Sequence, residues 1–183
     1  MLRKKKIILF KKSFINIKII QYYLMERMKK LLFICMGNIC RSPSAEAVMQ
    51  GIVKKNGMEK EIFCDSAGTI DYHAGQPADE RMSEHAILRG YELKSISRPF
   101  DNDDFINFDL IITMDEDNFQ QINWRDQTKK YADKIRRMVD FCIINKIQEI
   151  PDPYYGGDQG FEKVLDLLED SCQGLFKYLI EQK

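Results

Sequence analysis

Leu31-Leu32-Phe33-Ile34-Cys35-Met36-Gly37-Asn38-Ile39-Cys40-Arg41-Ser42-Pro43 is the stretch on which the reading of this 183-residue chain turns. Its four leading apolar residues read as a buried strand, and Ala45-Glu46-Ala47-Val48-Met49 downstream reads as a helix. Strand, tight loop and helix N-terminus together build an anion site. The loop amides point inward, and the positive end of the helix dipole lies beneath them. Gly37 and Asn38 are residue types that tolerate the left-handed backbone such a loop needs. Pro43 suits a first helical turn, where no N–H partner is required. A thiolate at Cys35 would face an anion held by the amides of Met36, Gly37, Asn38, Ile39 and Cys40 and by the Arg41 fork. The Ser42 hydroxyl is placed to donate to the sulfur. A cysteine followed five residues later by an arginine is weak by itself. The competing reading is a buried cysteine at a strand end before an ordinary capped helix.

Outward from this stretch, short apolar runs alternate with helical periods, which predicts an α/β protein with a parallel sheet flanked by helices. Strands are expected at 31–35, 62–66 (ending at Gly68), 110–114 and somewhere within 134–144. Helices are expected near 42–55, 78–89, 115–122 and 161–181, with a short helical turn at 101–105. In the last helix Phe161, Leu165, Leu168, Cys172, Leu175 and Leu179 fall on one face.

The formal net charge of zero conceals an asymmetry. Residues 1–27 hold eight Lys or Arg against one acid, Glu26, so the remainder carries the opposite surplus of about seven negative charges. An acidic body argues against nucleic acid as a partner. No apolar run in 1–27 reaches transmembrane length, and no small-residue cleavage site follows it, so stable membrane insertion and a secretory signal are not expected. Residues 1–27 are read as a basic extension, either disordered or the product of an over-extended start. A mobile tail and a surface-binding helix are the other readings. The five cysteines are spaced neither as a disulfide framework nor as a zinc site. Cys64, Cys142 and Cys172 read as small buried hydrophobes, and free thiols suit a cytoplasmic protein. His73 and His85 read as packing or surface residues. No metal and no cofactor is called for.

Cys35 to Ala45 with Glu46 resembles the signature of the low-molecular-weight protein tyrosine phosphatases. Pro151-Asp152-Pro153-Tyr154-Tyr155-Gly156-Gly157 resembles the loop in which that family carries its general acid. Asp65 to Thr69, Tyr72 to Pro77 and Thr113 to Asn118 resemble intervening family segments, so the likeness runs in order from about Met28 to the C-terminus. It implies one phosphatase domain over residues 28–183. It also implies a three-layer sandwich on a four-stranded parallel sheet of order 2-1-3-4.

The chemistry implied is hydrolysis of phosphotyrosine, in a protein or an aryl phosphate, with Cys35 as nucleophile, Arg41 as phosphate clamp and Asp152 as general acid, then base. Tyr154 and Tyr155 would wall the pocket mouth, with Tyr72 on the opposing side; by residue type each could equally be a half-buried core aromatic. Asp152 alone could be a turn residue between prolines. Asn38 is expected to brace the loop through its side chain, and Asp115 to help orient the site, though no partner for it is visible. In this family a pair such as Cys35 and Cys40 implies reversible protection against peroxide; packing beneath the loop is the alternative for Cys40. Weak self-association stays open. Three other functions compete. Thioredoxin-coupled arsenate reductases share fold and loop but need a downstream pair of shuttling cysteines. Protein arginine phosphatases tend to carry Thr where this chain has Ile39. A silent phosphoprotein-binding domain would not need Cys35, Arg41 and Asp152 together.

Overall fold

Alternate residues of the central strand face two different cores. In the computed structural model, which describes residues 28–181, β1 (Lys29–Cys35) sends Leu31, Phe33 and Cys35 into one core and Leu32 and Ile34 into the other. Leu31 to Ile34 are wholly buried. Each such side chain contributes about 1.5–3 kcal/mol by leaving water. This is why the run is continuously apolar rather than alternating. The sheet is parallel throughout, in the order β2 (Ile62–Gly68), β1, β3 (Leu110–Thr113), β4 (Ile135–Arg137). Leu31 pairs with Cys64 on one side and Leu110 on the other.

One core is closed by α1 (Arg41–Lys55), α2 (Glu80–Leu88) and α5 (Gly157–Glu181), the other by α3 (Asp104–Asn107) and α4 (Glu116–Arg125). The expected three-layer sandwich and strand order 2-1-3-4 are therefore present. The helix ends follow local chemistry. Asp79 caps α2 by accepting from the amides of Arg81 and Met82, and Asp115 caps α4 by accepting from Asn118 N. Gly57 and Gly90 take left-handed backbone just beyond α1 and α2.

The fourth strand lies within 134–144 as expected; it is three residues long and runs into a 3-10 turn (Met138–Phe141). The chain beyond it is pinned because Asp170 accepts from the amides of Ile143, Ile144 and Asn145. The last helix starts at Gly157, not Phe161; two glycines in its first turn disguise it as loop. Cys142 is half-buried rather than buried, and burial pushes its thiol up to about 11. Cys64 and Cys172 are buried as expected, and so is the apolar face of α5. The basic extension 1–27 lies outside the described residues.

Gly174 marks where α5 presses on the chain after β4. A Cβ built there would lie 1.8 Å from the Phe141 carbonyl oxygen, which is backbone and cannot step aside. Gly174→Ala should cost about 3 kcal/mol or more through forced separation, measured as a fall in the urea midpoint. An unchanged midpoint would refute the close approach.

Candidate active site

The loop from Cys35 to Arg41 is built with its carbonyls turned outward. The carbonyl of Cys35 accepts from Thr69 N, that of Met36 from Ile70 N, and that of Ile39 from Asp79 N. Gly37 O accepts from Ser97 Oγ at 3.1 Å, and Cys40 O from Ser44 Oγ at 2.7 Å. The amides of residues 36–40 find no intramolecular acceptor among the described residues. Below them α1 begins with no capping side chain and no acid in its first turn. Unpartnered amides over a helix N-terminus are an anion receptor.

Asn38 is the left-handed residue of the loop, at φ 54°. Its side chain bridges two elements: Oδ1 accepts from Arg98 N at 3.0 Å and Nδ2 donates to Ser42 Oγ at 2.9 Å. Ser42 Oγ is in turn 3.1 Å from Cys35 Sγ. Because Asn38 occupies an oxygen lone pair, the Ser42 proton remains available for a Cys35 thiolate. Gly37 is not left-handed, contrary to the sequence reading. A Cβ there would meet the His73 ring at 2.9 Å, so a larger residue would have to displace that side chain. His73, read as a packing or surface residue, thus lies directly against the loop. Gly68 sits at an equally close approach, where a Cβ would lie 2.8 Å from the carbonyl oxygens of both Met36 and Ile70.

Arg41 opens α1 and is only 4% exposed. Its Nη1 donates to Asp115 Oδ2 at 2.5 Å and to Ile150 O at 3.1 Å, and its Nη2 to Asp152 Oδ2 at 3.4 Å. Burial alone would make the guanidinium easier to deprotonate, but the charges of Cys35, Asp115 and Asp152 outweigh it and hold the arginine firmly cationic. Asp115, for which the sequence shows no partner, therefore anchors one arm of Arg41 while capping α4. Asp152 follows Ile150, whose amide donates to Met114 O at 2.8 Å, so the segment that carries Asp152 hangs from the end of β3. Cys35, Arg41, Asp115 and Asp152 gather beyond the carboxyl ends of the strands, where open α/β sheets bind ligands.

Cys40 is buried beneath the loop, and burial, then Asp79, Cys35 and Asp152, push its thiol far up. Met36 and Tyr154 are exposed at the rim, and Ile39 is half-buried against the core. Tyr72 is 78% exposed and meets His73 edge-on at 4.8 Å. The side chain of Tyr155 lies outside the described residues. Among the described residues no cluster of His, Cys, Asp or Glu could hold a metal ion. No helix among them is long and apolar enough to cross a membrane.

Sequence reasoning missed the clasp of Ser97 and Arg98, the Arg41–Asp115 pair, and Arg81, whose guanidinium lies 5.0 Å from the Tyr154 ring centroid. None has a local signal, because each bridges segments far apart in the chain.

Residues 30–183 match the sequence profile described as low molecular weight phosphotyrosine protein phosphatase. A protein tyrosine phosphatase from Entamoeba histolytica, crystallised with Hepes in its active site, superposes with a TM-score of 0.82 at 51% identity, covering 84% of this chain and 98% of that one. YfkJ from Bacillus subtilis superposes at 0.80 with 34% identity, over 85% of this chain and 97% of its own. The human low molecular weight phosphotyrosine protein phosphatase is 35% identical over 150 residues, 81% of this chain and 94% of the human one.

Proposed function

This chain belongs to the low-molecular-weight phosphotyrosine protein phosphatase family and is a protein-tyrosine-phosphatase; we propose that it works through a phosphocysteine on Cys35, with Arg41 clamping the phosphate and Asp152 moving the proton. Cys35 Sγ attacks phosphorus in line as the P–O bond to the phenol breaks. The amides of 36–40 and the free edge of Arg41 take the equatorial oxygens. Asp115 keeps Nη1, which leaves Nη2 and Nε as the fork toward phosphate. Asp152 gives its proton to the departing phenolate, then takes one from the water that cleaves the P–S bond.

The observation that carries this reading is the loop itself, with five outward carbonyls satisfied, five amides unpartnered and a thiol at its root. Exposed Tyr154 and Tyr72 near the rim suit a planar phenol ring, and the apolar Ile39 favours phosphotyrosine over phosphoarginine. The substrate is a phosphotyrosine-bearing protein, and the free cysteines fit a cytoplasmic setting. The test is turnover of matched phosphotyrosine, phosphoserine and phosphoarginine peptides. Phosphotyrosine should be preferred by at least about tenfold in kcat/KM, which corresponds to about 1.4 kcal/mol. A preference for phosphoarginine would overturn the substrate.

Redox control of the same site is part of this reading. A nucleophilic sulfur at Cys35 is open to peroxide, which converts it to a sulfenic acid; attack by the Cys40 thiol then gives a disulfide and releases water. Peroxide should inactivate, a dithiol should restore activity, and bound phosphate should protect. Cys40→Ser should still be inactivated but recover poorly. Since burial holds Cys40 protonated well above neutrality, its thiolate fraction grows about tenfold per pH unit there, and ring closure should accelerate with pH accordingly. Mass spectrometry should find Cys35 joined to Cys40. A link to Cys64, Cys142 or Cys172 would sink the protective role and favour the reductase reading.

A further inference from the structure

Arg81 joins three parts of the molecule that the chemistry needs in register. Its Nε and Nη2 donate to the two oxygens of Asp79 at 3.2 and 2.9 Å. The backbone of that aspartate is tied to the phosphate loop, because Asp79 N donates to Ile39 O at 2.8 Å. The other side of the same guanidinium lies 5.0 Å from the Tyr154 ring centroid and 5.0 Å from that of Phe161, the first buried aromatic of α5. Both distances are within cation–π range. Tyr154 is two residues from Asp152, and its amide donates to Asp152 Oδ1 at 3.0 Å. Placing the Tyr154 ring therefore places the Asp152 carboxylate.

The other tether on that carboxylate is the Arg41 Nη2 contact at 3.4 Å. That tether is lost when a phosphate takes the arginine fork, at the moment the acid must be in place. Gly156 and Gly160 let the loop that carries Asp152 lie against α5, with a Cβ at 160 only 3.1 Å from Pro153 O. Arg81 holds it from the phosphate-loop side.

We propose that Arg81 is a positioning residue for the general acid, fixing the Asp152 loop over the phosphate loop through Tyr154 and Phe161 once Arg41 has turned to phosphate. The proposal rests on the reading of Asp152 as the acid. Arg81 touches neither phosphorus nor sulfur; it acts through Tyr154. Its side chain is 48% exposed, and a methionine there keeps an apolar stem over Phe161.

The test is Arg81→Met, compared on phenyl phosphate and p-nitrophenyl phosphate. The kcat/KM for phenyl phosphate, whose leaving group needs a proton, should fall about five- to tenfold. That for p-nitrophenyl phosphate should stay within about twofold, as should inhibition by inorganic phosphate. In an Asp152→Asn background Arg81→Met should add less than about twofold on phenyl phosphate, because both changes remove the same function. Equal losses on both esters, weakened phosphate inhibition, or a full further loss in that background would instead assign Arg81 to the phosphate loop through Asp79 and overturn the proposal. Amide exchange gives a reading independent of turnover. With saturating phosphate, the amides of residues 152 and 154–156 should exchange faster in Arg81→Met than in the parent, and equal exchange would refute the positioning role. A parent chain that turned over neither ester would count against Cys35 as nucleophile, and the exchange result would still decide Arg81.

Discussion

Cys35→Ser is expected to abolish turnover of aryl phosphates, by roughly 10⁴–10⁶-fold, while leaving the fold intact. A serine hydroxyl is nearly isosteric with the thiol, so the 3.1 Å contact with Ser42 Oγ can be kept. What is lost is chemical. A hydroxyl is a far weaker acid and nucleophile than a thiol, and the loop amides, the helix N-terminus and Arg41 cannot bring an alkoxide into range. The variant should therefore still bind inorganic phosphate, measured by calorimetry, and unfold at the parent midpoint. Residual activity above about one per cent would reject Cys35 as nucleophile. Arg41→Lys should be nearly as damaging. Lys offers a single charged point where Arg41 divides its donors between Asp115 Oδ2 and the phosphate edge.

Asp152→Ala carries the second large effect. With phenyl phosphate, kcat/KM should fall roughly 10²–10⁴-fold, the range for a lost general acid. With p-nitrophenyl phosphate, whose leaving group departs without a proton, the fall in kcat/KM should shrink to about tenfold or less. The parameter matters: kcat also contains hydrolysis of the phosphocysteine, where Asp152 serves as base, and that step is common to every ester. Removing Asp152 also frees Arg41 Nη2 from its 3.4 Å contact, so phosphate binding should hold or tighten rather than weaken. Equal losses in kcat/KM for the two esters would make Asp152 a structural residue of its loop.

Elements formed by contiguous residues are legible in the sequence. The apolar run 31–34, the loop of 36–40 and the helix that follows are neighbours in sequence, and their anion site needs only backbone conformations they adopt locally. The left-handed turn at Asn38, the helix starting near Asp115 and the buried face of α5 are local in the same sense. What is not legible has a common origin too. Gly37 reads as a conformational glycine, yet it is not left-handed and a Cβ there would meet the His73 ring. Gly157 and Gly160 read as loop although they begin a helix, because only the approach of Pro153 explains a glycine at 160. The end of β4 within 134–144 is not legible, because the chain after it is held by Asp170, which accepts from the amides of Ile143, Ile144 and Asn145.

Taken by itself, the sequence determined the layered α/β class and the strand–loop–helix around residues 35–41, and it offered Cys35 and Arg41 as candidate nucleophile and clamp. Periodicity of burial and local backbone preference act over a few residues and are written in their order. It also supplied Asp152 as a candidate acid, though only by resemblance. Only the tertiary structure decided how the acid reaches the loop. The parallel order β2-β1-β3-β4 carries Asp115 and Asp152 to the strand end where Arg41 waits, across separations of 74 and 111 residues. It likewise sets Arg81 between Tyr154 and Phe161. Contacts of that range follow from sheet register and helix packing, which depend on the whole core at once, and no short stretch of the chain encodes them.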